Sequence, residues 1–191
     1  MPLATRRRAP TSERYNPSRR VQTRVCHGSC KEATLRIQLR LTLDTPADQL
    51  WDALHNPSVF TRVSGPLLAM HSLEPGGLPE RWTGDGPHRI SIRALDLIPL
   101  GEQTIDITDE TRPDGTRIMT DAGRPLSGSL AMITSWRHRM AVTEQPNGRT
   151  LYRDRLDVSA GILTPLIWIS LWAFWQWRAL RLRAVLRRNK R

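Results

Sequence analysis

The stretch WRHRMAVTEQPNGRTLYRDRLDV, Trp136 to Val158, sets an imidazole and a carboxylate where a strand pair should bury apolar groups. Trp136, Met140, Val142, Tyr152, Leu156 and Val158 hold one alternating phase, and His138 and Asp154 fall in that same phase. An unpartnered buried carboxylate costs on the order of several kcal/mol and takes up a proton instead. A paired one has a chemical use. Asp154 would orient His138, whose ring would then meet a ligand oxygen or abstract a proton. The bland alternative is a satisfied polar pair that pins strand register, completed by Tyr152 or a water.

The turn at Pro146-Asn147-Gly148 decides whether the two side chains meet. Opposed residues of an antiparallel pair share a face. A turn at this place puts Trp136 opposite Val158, His138 opposite Leu156 and Met140 opposite Asp154. His138 and Asp154 are then diagonal neighbours, roughly 7–8 Å apart at the backbone and within side-chain reach. On the outer face Arg137 opposes Asp157, an exposed pair of little energetic weight.

Other elements must hold this hairpin. TLRIQLRLTLD, residues 34–44, alternates Leu and Ile with Arg, Gln and Thr and reads as a strand. A short helix follows, with Thr45 as its expected N-cap, Pro46 at the first helical position and Ala47, Leu50, Trp51 and Leu54 as its apolar stripe. Asn56-Pro57 ends it, and a second short helix is expected near Ser58 to Val63. Strands are expected at about 67–74, 80–84, 88–98, 103–110, 116–121, 130–144 and 149–158, some of them merging to leave six or seven in one antiparallel sheet. In HRISIRALDLI the apolar phase switches between Ala94 and Leu95, which implies a bulge or bend. The final element, from Thr164 to about Arg188, is a helix that is apolar nearly all round between Ile162 and Trp177. Such a helix is buried on most sides or lies in lipid. Its apolar stretch is shorter than the roughly 20 residues a membrane span requires, so burial against a curved sheet is expected. Peripheral membrane contact is the alternative, because Trp168, Trp172 and Trp175 line up and Arg residues follow.

Charge narrows the partners. Of 29 Lys and Arg, residues 1–31 carry eight and residues 178–191 carry seven; the stretch between holds 14 against 17 of the 18 acids, near −3. A mildly acidic domain with basic ends is not built to track a phosphate backbone, and no nucleic-acid partner is expected. Residues 1–31, rich in Arg, Ser, Thr and Pro, read as a disordered basic arm. TRRR has no apolar segment after it, so no signal peptide and a cytoplasmic protein are expected. Cys26 and Cys30 have His27 as their one neighbouring third ligand, short of the four a structural zinc site takes. No metal and no cofactor are expected. There is no nucleophile elbow and no phosphate-cradling glycine loop.

TPADQLWDALHNPSVF resembles the opening helix pair of the START-like, helix-grip superfamily, also called SRPBCC. SWRHRM, GRTLYRDRLDV and SAGILTP followed by an Arg-bearing helix are similar to its polyketide cyclase/dehydrase-like branch. The resemblance covers about residues 34–188 and implies an α+β helix-grip domain over 32–191, its sheet curled round the helix 164–188. It further implies a cavity between sheet and helix for an apolar small molecule such as a lipid, polyketide or quinone. Bound there without catalysis, the ligand would meet Trp82, Arg93, Trp136, His138, Met140, Tyr152, Asp154, Trp168 and Trp172. The catalytic alternative is a cyclase or dehydratase working through His138 and Asp154. The helix Trp side chains compete with a ligand for the same space, and the segment Asp121-Ala-Gly-Arg-Pro is a candidate gate beside the sheet.

Overall fold

A computed structural model of the protein describes residues 34–188. The basic arm and the Cys26–His27–Cys30 group lie outside them. The chain runs β1 (Leu35–Leu43), α1 (Ala47–His55), α2 (Pro57–Ser64), β2 (Leu68–Ser72), β3 (His88–Ala94), β4 (Ile98–Ile105), β5 (Ile107–Thr111), β6 (Arg117–Asp121), a 3-10 turn at Gly128–Met132, β7 (Ser135–Glu144), β8 (Thr150–Ser159) and α3 (Thr164–Arg188). All strand pairs are antiparallel. This is the α+β helix-grip arrangement expected: one strand, two short helices, antiparallel strands, one long C-terminal helix.

The strands form two sheets rather than one, a five-stranded sheet in the order β1-β8-β7-β6-β5 and a three-stranded sheet in the order β2-β3-β4. The break lies at Asp106, between β4 and β5. There the backbone N–H donates to Asp121 Oδ1 at 3.0 Å instead of to a neighbouring strand. Gly123 N–H donates to the same oxygen, also at 3.0 Å. Segment 122–127 then runs back beside β4, with Thr104 N–H bonded to Arg124 O and Leu126 N–H to Glu102 O. A Cβ on Gly123 would stand 1.9 Å from Thr104 O, so only glycine lets the chain pass this close. The segment expected to be a loose gate is instead tied down by its own carboxylate.

Four local expectations need correction. Residues 80–84 form no strand, and 130–134 are a 3-10 turn and its exit rather than the start of β7. The strand expected over 88–98 is two strands: the bulge or bend expected at the phase switch is present as a register shift between Ile92 and Arg93 and a hairpin turn made by Leu95 and Asp96 at positive φ (51° and 60°). Helix α1 begins one residue late: Pro46 is its N-cap, with no side-chain cap, because Thr45 is buried and its carbonyl accepts from Thr150 Oγ1. The second helix is capped by Asn56, whose Oδ1 accepts from Ser58 N–H at 2.8 Å. Thr164 opens α3 by accepting from Ala160 N–H at 2.8 Å and donating to Gly161 O at 2.6 Å.

The core has two parts. One gathers α1, α2, the C-terminal half of α3 and the inner faces of both sheets around Leu50, Ile90, Met119, Val142, Tyr152 and Leu186. The other packs Trp175 against Ile37, Leu156 and Val158. The first half of α3 is not buried on most sides. Leu166, Ile169 and Trp172 are 65%, 58% and 47% exposed. Among the described residues no helix is long and apolar enough to cross a membrane.

Candidate functional site

The register of β7 and β8 is the one the turn implies: Trp136 opposite Val158, His138 opposite Leu156, Met140 opposite Asp154. Both strands send their even-numbered side chains inward. His138 and Asp154, both buried, meet with Nε2 to Oδ1 at 2.7 Å. Two further donors close on the carboxylate, Trp175 Nε1 to Oδ1 at 2.9 Å and Tyr152 OH to Oδ2 at 2.8 Å. Burial by itself would raise the Asp154 pKa. The charge and hydrogen bond of His138, the charge of Arg178 and the Trp175 N–H outweigh it and hold the carboxyl at about 2. Burial, then the Asp154 charge, push the Tyr152 hydroxyl well above its usual range, so it stays a donor. His138 Nδ1 has no hydrogen-bond partner among the described residues. The ring of Trp175 stands edge-on to that of His138, centroids 5.2 Å apart.

Two cavities flank this network. The larger, about 400 Å³, lies between the inner face of β2–β4, the 3-10 turn and the first half of α3. Its wall is mostly apolar and includes Met70, Ile92, Leu100, Trp136, Leu171 and Phe174. The smaller, about 40 Å³, lies deeper, toward α1 and α2, among Trp82, Met119, Met140, Tyr152 and Asp154. Phe60, Asp121, His138 and Arg178 border both. Asp121 is buried there, and burial raises its pKa above the usual carboxylate value despite the N–H groups of Asp106 and Gly123.

The structure thus brings together six of the nine ligand-contact candidates: Trp82, Trp136, His138, Met140, Tyr152 and Asp154 all line a cavity. Three lie elsewhere. Arg93 turns outward, donating to the carbonyls of Asp96 (3.1 Å) and Leu97 (3.0 Å), because its strand ends in the hairpin. Trp168 caps the Arg36 carbonyl at 2.9 Å, and Trp172 is largely exposed. Only Trp175 of the helix tryptophans enters the site; Trp177 Nε1 donates to Gly65 O at 3.3 Å. The cavity is therefore not filled by the tryptophans.

Arg178 and Asp121 are site residues whose place the sequence reading missed. Arg178 looked like the first residue of the basic tail, yet it is three positions on from Trp175 and shares its helical face. The outer-face expectation also shifts. Asp157 is held by Arg36 (2.7 Å) and Arg155 (2.8 Å) rather than by the opposing Arg137. His55 and His71 have partners, Asp109 at 2.9 Å and Asp96 at 2.8 Å. No group of three or more His, Cys, Asp or Glu among the described residues is placed to hold a metal ion.

No family model and no curated protein matches the sequence. Solved structures do match the fold. Zhui aromatase/cyclase from Streptomyces sp. R1128 aligns with a TM-score of 0.54 at 13% identity, over 83% of this chain and 97% of its own. Norcoclaurine synthase from Thalictrum flavum, a point mutant in complex with a transition-state analogue, aligns at 0.56 and 13%, over 84% and 98%. Protein CV1439 from Chromobacterium violaceum aligns at 0.54 and 16%, over 79% and 96%. The chain shares the helix-grip fold of these structures.

Proposed function

We propose that this protein binds an apolar small molecule in the cavity between the three-stranded sheet and α3. The supporting observation is the cavity itself: about 400 Å³, walled mainly by apolar side chains, with His138, Asp121 and Arg178 converging at its inner end. That combination of volume, apolar wall and few polar groups is the usual character of a small-molecule site. A neutral apolar fluorophore, N-phenyl-1-naphthylamine, should bind saturably, one molecule per chain. Met70→Trp and Leu171→Trp, from opposite walls, should each weaken it about tenfold, which is ~1.4 kcal/mol. Linear, non-saturating fluorescence, or full affinity in both variants, would dismiss the proposal.

A catalytic reading is favoured by one detail of the same site. Asp154 is held ionised against His138 Nε2, which orients the ring as a general base is oriented. One neighbour of the same fold is by name an aromatase/cyclase. Cyclisation or dehydration of a polyketide-like substrate would then use His138 to take the proton. Turnover should vanish in His138→Gln while the circular dichroism spectrum persists; turnover retained in that variant would remove His138 from the chemistry.

Contact with a membrane surface is supported by the exposed Leu166, Ile169 and Trp172 on α3, with Arg181, Arg183 and Arg187 further along the helix. Vesicles containing anionic phospholipid should retain the protein and release it as salt rises. Equal retention by Ile169→Glu/Trp172→Glu would exclude this face.

A further inference from the structure

Arg178 is a buried cation without a hydrogen-bonding partner. It is 9% exposed and borders both cavities. Among the described residues it makes no hydrogen bond and no ion pair, and its Nε is fully covered. Its charge is offset at a distance by the Asp154 carboxylate, which it helps to hold ionised, and by two rings, with Cζ 5.0 Å from the Trp175 centroid and 5.9 Å from that of Phe60. Ring faces do not accept the in-plane N–H donors of a guanidinium, which fit the two oxygens of a carboxylate.

The nearby carboxylates already accept hydrogen bonds from other donors. Asp154 receives His138 and Trp175 on one oxygen and Tyr152 on the other. Asp121 Oδ1 receives the N–H groups of Asp106 and Gly123. His138 is held by Asp154, so it is no acceptor for Arg178 through Nε2. Arg178, without a hydrogen-bond partner among the described residues, thus borders both cavities, and the larger one supplies an apolar wall.

We propose that the ligand is an apolar molecule carrying one anionic oxygen group, a carboxylate or phenolate, which docks on the Arg178 guanidinium at this junction while its body occupies the larger cavity. The inference rests on the ligand-binding reading above and adds the chemical class of the head group. It also orients the molecule: head toward β7 and α3, body toward β2–β4.

The test is displacement of N-phenyl-1-naphthylamine by matched pairs, dodecanoate against dodecan-1-ol and 2-naphthoate against 2-naphthalenemethanol. Hydrogen bonds to charged groups lead the wild-type protein to prefer each acid over its alcohol by at least about tenfold. The pair that binds more tightly identifies an aliphatic or an aromatic body. In Arg178→Met the preference should fall to within about twofold while the neutral fluorophore still binds. In Arg178→Lys, which keeps the charge and loses the fork, it should be intermediate. Equal displacement by acid and alcohol in the wild type would overturn the proposal, as would a preference that survives in Arg178→Met. Should Arg178→Met not fold, the wild-type and Arg178→Lys comparisons decide by the same criteria. A wild-type protein that fails to bind the fluorophore would overturn the underlying cavity reading; one that binds it without acid preference would overturn only the head-group assignment.

Discussion

Replacing Asp154 by Ala should destabilise the protein strongly. The carboxylate accepts from His138 Nε2 at 2.7 Å, Trp175 Nε1 at 2.9 Å and Tyr152 OH at 2.8 Å, all inside the core. Each buried donor left without an acceptor costs about 1–3 kcal/mol, so a loss on the order of 4 kcal/mol is expected at neutral pH. Asp154→Asn keeps an acceptor for His138 and Trp175 and sets its amide against the Tyr152 oxygen, so its cost should be about 1–2 kcal/mol. The pH dependence separates charge from shape. The folded-state pKa of Asp154 is about 2 against an unfolded value of 3.8, so the unfolded chain binds more protons between these values. Its contribution is complete above the unfolded pKa and is lost as pH falls through the folded one, about 2 kcal/mol in all. The Asn variant lacks this component of acid sensitivity. Urea unfolding followed by far-ultraviolet circular dichroism, at neutral and acidic pH, measures both effects, with an unchanged m-value as the control for two-state behaviour. A cost below about 1 kcal/mol for Asp154→Ala, or the same acid-induced loss in Asp154→Asn, would refute the coupling described.

Further outcomes follow from other contacts. Trp175→Phe keeps the ring that fills the second core cluster but removes one donor to Asp154, so it should cost about 1–2 kcal/mol and move the acid loss of stability to higher pH, read in the same titration. Asp121 has a raised folded pKa, so the folded state binds more protons above 3.8 and its contribution declines as pH rises through the folded value. Asp121→Asn keeps the acceptor for Asp106 and Gly123 and should flatten that decline, with stability at neutral pH unchanged or higher by up to about 1 kcal/mol. Gly123→Ala sets a methyl 1.9 Å from Thr104 O; it should cost about 2 kcal/mol or more or prevent soluble expression, whereas Gly148→Ala, with open space at its Cβ but φ of 70°, should cost only about 1 kcal/mol.

The hairpin was legible in the sequence because two constraints act together. A tight turn at Asn147-Gly148 limits the register, and parity of the apolar positions fixes which face is buried. His138 and Asp154 could then be paired before any coordinates. The division into two sheets was not legible, because it depends on a side-chain carboxylate, Asp121, taking an N–H that a neighbouring strand would otherwise take. The turn at Leu95-Asp96 was legible only as a bulge or bend at the phase switch, because Leu is a poor residue for positive φ and the composition there does not signal a hairpin turn. Helix α3 showed where apolar periodicity stops being informative. An all-round apolar helix predicts contact everywhere, whereas this one has Trp175 covered and Trp172 exposed, since the cavity separates part of its length from β2–β4. Arg178 escaped notice because charge counting assigned it to the tail; the helical phase it shares with Trp175, Ala179 and Leu182 was the available signal.

Whether the cavity takes an apolar molecule is decided by a crystal structure of the protein with N-phenyl-1-naphthylamine bound. The fluorophore should lie between Ile92 and Leu100 on one wall and Leu171 and Phe174 on the other, with the His138–Asp154–Trp175 hydrogen bonds intact beneath it. A cavity collapsed onto the helix, with the molecule seated only on the outer face of α3 near Trp172, would contradict it.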